Sequence, residues 1–281
     1  MLIKKVGLLF HPMVDATRLK AIELAEFLKT AGLEVWLCSA WEADRAAENL
    51  PATDLVLTTG GDGTILRAAQ TVMKFDVPVT GINMGTLGFL TEIKADEAIP
   101  QLKRILAGEG WLDQRVMLEA QLTAGEGGNS PPAPFYALND VVLARGAIAK
   151  LIQVKAEIDN RPLTTYRADG VILATATGST GYSLAAGGPI LYPQSEDFLM
   201  VPIVSHLTLG YSLVLPSDST VNLRLQTTAQ ATMSIDGHIN IPVSNGAVIG
   251  IRRSEFKIRF LRLRQQHYFF NVLEEKLRGK K

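Results

Sequence analysis

Uniformly apolar runs alternate with amphipathic stretches through the first third of the chain. Residues 6–10 are an apolar run that stops at His11-Pro12, which reads as a first strand. Residues 15–31 place Leu24, Leu28 and Ala31 along one helical face, with Asp15 as a candidate cap and Gly32 as the stop. Strands are predicted over 35–38, 55–59 and 77–83, and helices over 65–72 and 98–107, the last ended by Gly108 and Gly110. This alternation predicts a parallel sheet with helices on its faces.

The texture then changes. Short segments over 118–122, 137–144, 152–158, 170–175, 221–226, 231–235, 247–252 and 257–261 are rich in strand formers, and many alternate apolar and polar residues. The turn pairs Asp159-Asn160, Asp236-Gly237 and Asn245-Gly246 separate some of them. A second, mostly β domain is expected, with a boundary near residues 111–115. Residues 125–134 read as a flexible hairpin tip. Residues 268–277 read as a helix with Phe270, Leu273 and Leu277 on one side, expected to pack back on the first domain. The expected domains are thus 1–113 with about 266–281, and 114–265.

The most informative chemistry is Gly60-Gly61-Asp62-Gly63-Thr64, between a buried strand and a helix. Ligands of open α/β sheets bind beyond the carboxyl ends of the strands. Glycines let the backbone approach a phosphate, and the helix start offers unpaired N–H donors. Asp62 is the odd member, since a carboxylate repels phosphate; it suits a proton acceptor or a cation ligand. The segment is neither a Walker loop, lacking Gly-Lys-Ser/Thr, nor a dinucleotide fingerprint, having Leu66 at the third glycine. A second candidate is the hydroxyl-rich stretch 175–183, Thr-Ala-Thr-Gly-Ser-Thr-Gly-Tyr-Ser, running on to Gly187-Gly188-Pro189. A third is Asn139-Asp140, a polar pair within the apolar run 138–143, which must be hydrogen-bonded or used. Asp169-Gly170 and Asp236-Gly237 are plain turns when read alone.

Composition narrows the field. The chain has 281 residues, 47 % hydrophobic and 20 % charged, with 28 basic and 28 acidic side chains. A net charge of zero argues against a nucleic-acid partner. No stretch is long and apolar enough to span a membrane, and the single cysteine, Cys38, has no partner for an internal disulfide, so a reduced cytoplasmic setting is expected. His11, His206, His238 and His267 do not pair at ligand spacing, so no zinc site is expected.

Taken together these segments resemble the NAD kinases. The matching elements are Gly60-Gly61-Asp62-Gly63-Thr64, Leu87-Gly88-Phe89, Asn139-Asp140, Asp169-Gly170, residues 175–183, Gly187-Gly188-Pro189-Ile190 and Asp236-Gly237, in the family's order over nearly the whole chain. The resemblance implies an amino-terminal open parallel α/β domain, Rossmann-like or phosphofructokinase-like, and a mostly antiparallel carboxy-terminal β domain, with the active site between them. It implies transfer of phosphate from ATP, or polyphosphate, to NAD with a divalent cation, normally Mg²⁺, in a homodimer or homotetramer whose site is partly closed by a neighbouring subunit. Asp62 would be catalytic, facing the 2′-hydroxyl of the adenosine ribose. Gly61, Gly63, Phe89, Asn139, Asp140, Asp169, Thr180, Gly181, Tyr182 and Ala185 would bind NAD. Gly60, Thr64, Arg67, Gly178 and Ser179 would form the phosphate and nucleotide loops. No protein metal cluster is implied, because Mg²⁺ leans on phosphates and water.

The chain departs from the family pattern at several positions. Asn139-Asp140 replaces the commoner Asn-Glu, and the shorter side chain reaches less far. Gly181 stands where alanine is frequent, and Ala185 where serine is. After Ser205-His206-Leu207-Thr208 the family usually has Arg-Pro, and here it is Tyr211-Ser212. The missing cation leaves the choice among NAD, NADH and phosphate donor open. The competing readings are a diacylglycerol-type lipid kinase, which would need a lipid-docking surface, and a non-catalytic dinucleotide-binding regulator, which would have no need of Asp62.

Overall fold

The computed structural model describes residues 2–85, 88–125, 133–146, 150–204, 210–227 and 230–277. The chain divides into two units, Met1–Gln114 with Lys257–Lys281, and Arg115–Phe256. Among the expectations above, Leu87, residues 126–132 of the hairpin tip and Ser205 to Thr208 lie outside the described residues.

The first unit runs β1 (Lys5–Phe10), α1 (Asp15–Thr30), β2 (Glu34–Ser39), α2 (Ala43–Asn49), β3 (Leu55–Gly60), α3 (Asp62–Val72), β4 (Val79–Asn83), β5 (Ile93–Lys94) and α4 (Ala98–Leu106). Its strands lie in the order β2-β1-β3-β4 and all are parallel, with β5 added beside β4. Every residue of β3 is buried, as a strand covered on both faces requires. Val6, Leu8, Leu55, Leu57 and Ile82 meet Leu24 and Leu28 of α1 and Leu102 and Ile105 of α4 in one core. Asp15 is not the cap of α1: Val14 holds that place, and Asp15 is the first helical residue, where the helix dipole favours a negative charge. The sequence reading missed α2, because only Ala46 of its seven residues is buried and no apolar stripe marks it. Cys38 is buried, and burial pushes its thiol up to about 11, as befits an inert core residue.

The second unit contains β6 (Trp111–Thr123), β7 (Phe135–Ala137), β8 (Asp140–Arg145), β9 (Ile152–Ile158), β10 (Arg161–Ala168), β11 (Gly170–Thr175), α5 (Tyr182–Ala185), β12 (Phe198–Ile203), β13 (Leu213–Leu215), β14 (Thr220–Leu225), β15 (Ala231–Ile235), β16 (Ile239–Val243) and β17 (Val248–Arg262), the division falling inside β6 and β17. One antiparallel sheet has the order β10-β9-β14-β17 and the other β13-β12-β11-β8-β15-β16. Their apolar faces share a core that includes Leu143, Val154, Tyr166, Leu173, Met233 and Ile251. Two separate strands were expected over 247–252 and 257–261, but β17 is continuous. The strand expected over 137–144 is instead broken at Leu138-Asn139. The final helix, α6 (Tyr268–Leu277), belongs to the first unit, where the Phe269 ring lies 6.2 Å from that of Phe89.

A buried ionic cluster stabilises the first unit. Arg262 donates from Nη1 to Leu90 O at 2.7 Å and to Glu92 Oε2 at 3.3 Å, and from Nε to Asp113 Oδ2 at 3.3 Å. Glu92 Oε1 also accepts from the backbone N–H groups of Leu263 and Arg264, which spreads its charge. Removing only the cation would strand two carboxylates away from water. Arg262→Met should therefore cost about 3–5 kcal/mol, measurable by denaturant unfolding. Arg252→Met, which breaks an exposed pair with Glu119, should cost under about 1 kcal/mol.

Candidate active site

In the first unit the glycine turn follows β3 and Asp62 opens α3. Gly61 and Gly63 are exposed, while Thr64 is buried and its hydroxyl oxygen has no partner among the described residues. Asp62 is half-buried, and its carboxylate accepts three backbone N–H bonds: Phe89 to Oδ2 at 2.8 Å, and Leu90 and Thr91 to Oδ1 at 3.1 and 3.2 Å. Gly88 must be glycine at this turn, because a Cβ there would occupy the space of the Asp62 carboxyl group. Gly88 N donates to Thr91 Oγ1 at 3.0 Å, and Arg262 holds Leu90 O, so the turn is pinned from both sides. Arg67 stacks its guanidinium 4.1 Å over the Trp41 ring, and burial lowers its pKa. No carboxylate among the described residues neutralises it. The unit thus brings Gly60, Gly61, Asp62, Gly63, Thr64, Arg67 and the backbone of Phe89 into one neighbourhood.

In the second unit the break before β8 exposes three consecutive N–H groups. The Asp236 carboxylate takes all of them: Leu138 N at 2.9 Å, Asn139 N at 2.7 Å and Asp140 N at 3.1 Å. The hydroxyl loop after β11 docks on the same break. Thr175 Oγ1 donates to Leu138 O at 2.6 Å, Thr175 N donates to Asn139 O at 2.9 Å, and a Cβ at Gly178 would collide with the Asn139 carbonyl. Arg115 donates to Thr177 Oγ1 at 3.2 Å. Ser179 is fully buried and its hydroxyl serves the loop itself, donating to Ala176 O and accepting from Leu191 N. Thr180 is half-buried and donates to Thr177 O, whereas Gly181, Tyr182 and Ala185 are exposed. Asn139 Oδ1 and Ser183 Oγ are buried and lack partners among the described residues. Orphaned acceptors of this kind are costly unless a ligand or water completes them.

Asp169 is not brought to this group. It stands at the opposite end of β11 from the hydroxyl loop, roughly 20 Å along a six-residue strand. Its carboxylate is held by Arg145, at 2.6 Å from Nε and 3.2 Å from Nη2. Sequence reasoning did not single out Thr91, Arg115, Arg145 or Arg262, and it left Asp236 as a turn residue. For Asp236 a signal existed, since a buried Asn-Asp pair needs a hydrogen-bonding partner somewhere in the chain.

Asp140 is buried beside Asp236. Burial first, and then the charge of Asp236, push its pKa up to about 7 from 3.8. Burial also pushes Asp236 up, opposed by its three N–H donors and by His238.

A parallel α/β unit that presents a carboxylate at a glycine turn, and a β unit with a docked hydroxyl loop, define a two-part nucleotide-handling protein of the kinase type. Two family models match the chain: the ATP-NAD kinase N-terminal domain over residues 38–110 and the ATP-NAD kinase C-terminal domain over residues 138–263. The NAD kinase of Dehalococcoides mccartyi strain CBDB1 is 48% identical over 276 residues, covering 98% of this chain and 96% of that one. The NAD kinase of Chloroflexus aurantiacus strain J-10-fl is 38% identical over 277 residues, covering 99% of each. Among solved structures, yeast NADH kinase complexed with NADH superposes with a TM-score of 0.86 at 27% identity, over 100% of this chain and 89% of that one. An NAD kinase from Archaeoglobus fulgidus in complex with ATP gives 0.76 at 27% identity, over 99% of this chain and 100% of that one. The chain belongs to the NAD kinase family.

The Asp140 environment has a consequence for stability. Its carboxyl group holds a proton in the folded state up to about pH 7, while the unfolded chain loses it near 3.8. The unfolded state therefore binds fewer protons over that window, and stability falls as pH rises through it. Asp140→Asn removes this penalty. Its melting temperature should gain on that of the unaltered chain as pH rises from 4 to 7 and the difference should level off above 8, as calorimetry at stepped pH would show.

Proposed function

We propose that the chain transfers the terminal phosphoryl group of ATP to the 2′-hydroxyl of the adenosine ribose of NAD, giving NADP. The observation that carries this reading is the Asp62 carboxylate, fixed by three backbone N–H bonds at the start of α3. An ionised carboxylate has about four acceptor positions, so one remains beyond those bonds. That position suits the acceptor hydroxyl. The carboxylate need not be a strong base, because the proton leaves only as the phosphorus–oxygen bond forms.

In this reading Thr64, Arg67 and the turn N–H groups receive the donor phosphates. The orphaned Asn139 Oδ1 accepts from the adenine amine, and Asp140 accepts from ribose hydroxyls. Phe89 borders the adenine, and Gly178 and Thr180 to Tyr182 shape the far side. Among the described residues no three His, Cys, Asp or Glu side chains gather around a common point. In this proposal Mg²⁺ would ride on substrate phosphates and water. Homodimeric or homotetrameric assembly is part of the proposal. A cytoplasmic location is also proposed; among the described residues no helix is long and apolar enough to cross a membrane. The relatives are NAD kinases, and neither a lipid kinase nor a regulator without catalysis accounts for them together with Asp62.

The test is incubation with ATP, Mg²⁺ and NAD, with NADP measured by a coupled dehydrogenase. NADH and polyphosphate in parallel reactions identify acceptor and donor. Asp62→Asn should reduce turnover about a hundredfold or more while the variant keeps its circular dichroism spectrum. Turnover equal to that of the unaltered protein would refute the role.

A further inference from the structure

The segment from Leu138 to Asp140 is clasped by one residue outside both loops. Asp236 binds its three N–H groups through the carboxylate, and Asp236 N donates back to Asp140 O at 3.0 Å. The turn alone does not demand this residue. Asp236 has φ +48°, in the left-handed region that Asn adopts as readily as Asp. What Asn cannot supply is a second acceptor oxygen, and here both carboxylate oxygens are used. Burying an anion in the core is costly unless its donors have a purpose worth that cost.

We propose that Asp236 is a positioning residue for the NAD site: its carboxylate sets the backbone from which Asn139 and Asp140 meet the ligand, and its charge makes ligand binding pH-dependent through Asp140. The proposal rests on the reading that Asn139 and Asp140 bind NAD. Several elements face the pair. From the turn, His238 Nδ1 lies 3.1 Å from Asp236 O. From β11, Ala174 pairs with Asp140 and the adjoining Thr175 is neutral. Arg115 reaches the hydroxyl loop at Thr177. Burial raises both acids, but three N–H donors favour the charged form of Asp236, and its charge in turn holds the proton on Asp140. Ribose hydroxyls donate more strongly to a carboxylate than to a carboxylic acid, so NAD binding favours the form of Asp140 that has lost that proton. Affinity then falls as pH drops below about 7, by up to tenfold per pH unit.

The experiment is titration calorimetry of NAD binding between pH 5.5 and 8.5 on the full chain. For the unaltered protein the dissociation constant should rise below about pH 7. In Asp236→Asn the inflection should move to lower pH, and affinity on the alkaline plateau should weaken about tenfold, as for a loosened set of hydrogen bonds. In Asp140→Asn the inflection should vanish. An Asp236→Asn profile that matches the unaltered one, or an inflection retained in Asp140→Asn, would overturn the proposal. Should Asp236→Asn fail to fold, Asp236→Glu, which keeps both acceptor oxygens on a longer arm, is read in its place, and unchanged affinity and inflection there would overturn the proposal. Absence of NAD binding by the unaltered chain at every pH would instead sink the functional reading, so the two failures are distinct.

Discussion

A carboxylate withdrawn from water must be answered by donors, and in this chain the backbone answers twice. Asp62 gathers three N–H groups from Phe89, Leu90 and Thr91, and Asp236 gathers three from Leu138, Asn139 and Asp140. In each unit an irregular segment leaves consecutive N–H groups without a ladder partner. Each segment is ordered because one anion satisfies all of them at once. In each unit the candidate site residues are built on one of these arrangements. One presents a carboxylate beside a glycine turn; the other fixes an amide and a second acid beside the hydroxyl loop.

The two cases differ in what surrounds them. The turn at Asp62 is backed by Arg262, Glu92 and Asp113, a cluster in which every side chain is more than nine-tenths buried. Opposite charges there offset one another. Asp236 has a second buried acid, Asp140, as its neighbour, and its three N–H donors and His238 favour its charged form. One unit therefore holds its anion quietly, and the other stores a proton-dependent tension at the place proposed to receive ribose.

Much of this was legible in the residues. The parallel αβ order followed from apolar runs such as Leu55 to Thr59, which read as buried strand and are buried strand. Asp159-Asn160 and Asp236-Gly237 turn hairpins with positive φ at both residues of each pair, as their composition suggests. The glycine turn and the hydroxyl loop stood out because small residues clustered after apolar strands. What stayed hidden was long-range pairing. Nothing local to Asp236 says that it faces Leu138, a separation of 98 residues, and nothing local to Arg262 says that it reaches Leu90. The break before Asp140 was likewise invisible, since Leu138 to Leu143 keeps an apolar texture across the interruption. Strands such as Arg161–Ala168 escaped because exposed polar residues dilute their pattern.

The hold on Asp62 is made by main-chain atoms, whose chemistry is the same in every amino acid except proline. The side chains of Phe89 and Leu90 take no part in it. At half-buried Phe89 a different side chain can be accommodated without loosening the Asp62 carboxylate, whereas Leu90 is buried and constrained by its packing. With Phe89 placed beside the bound base, as proposed above, selectivity can change at that one side chain while the grip on the acid endures.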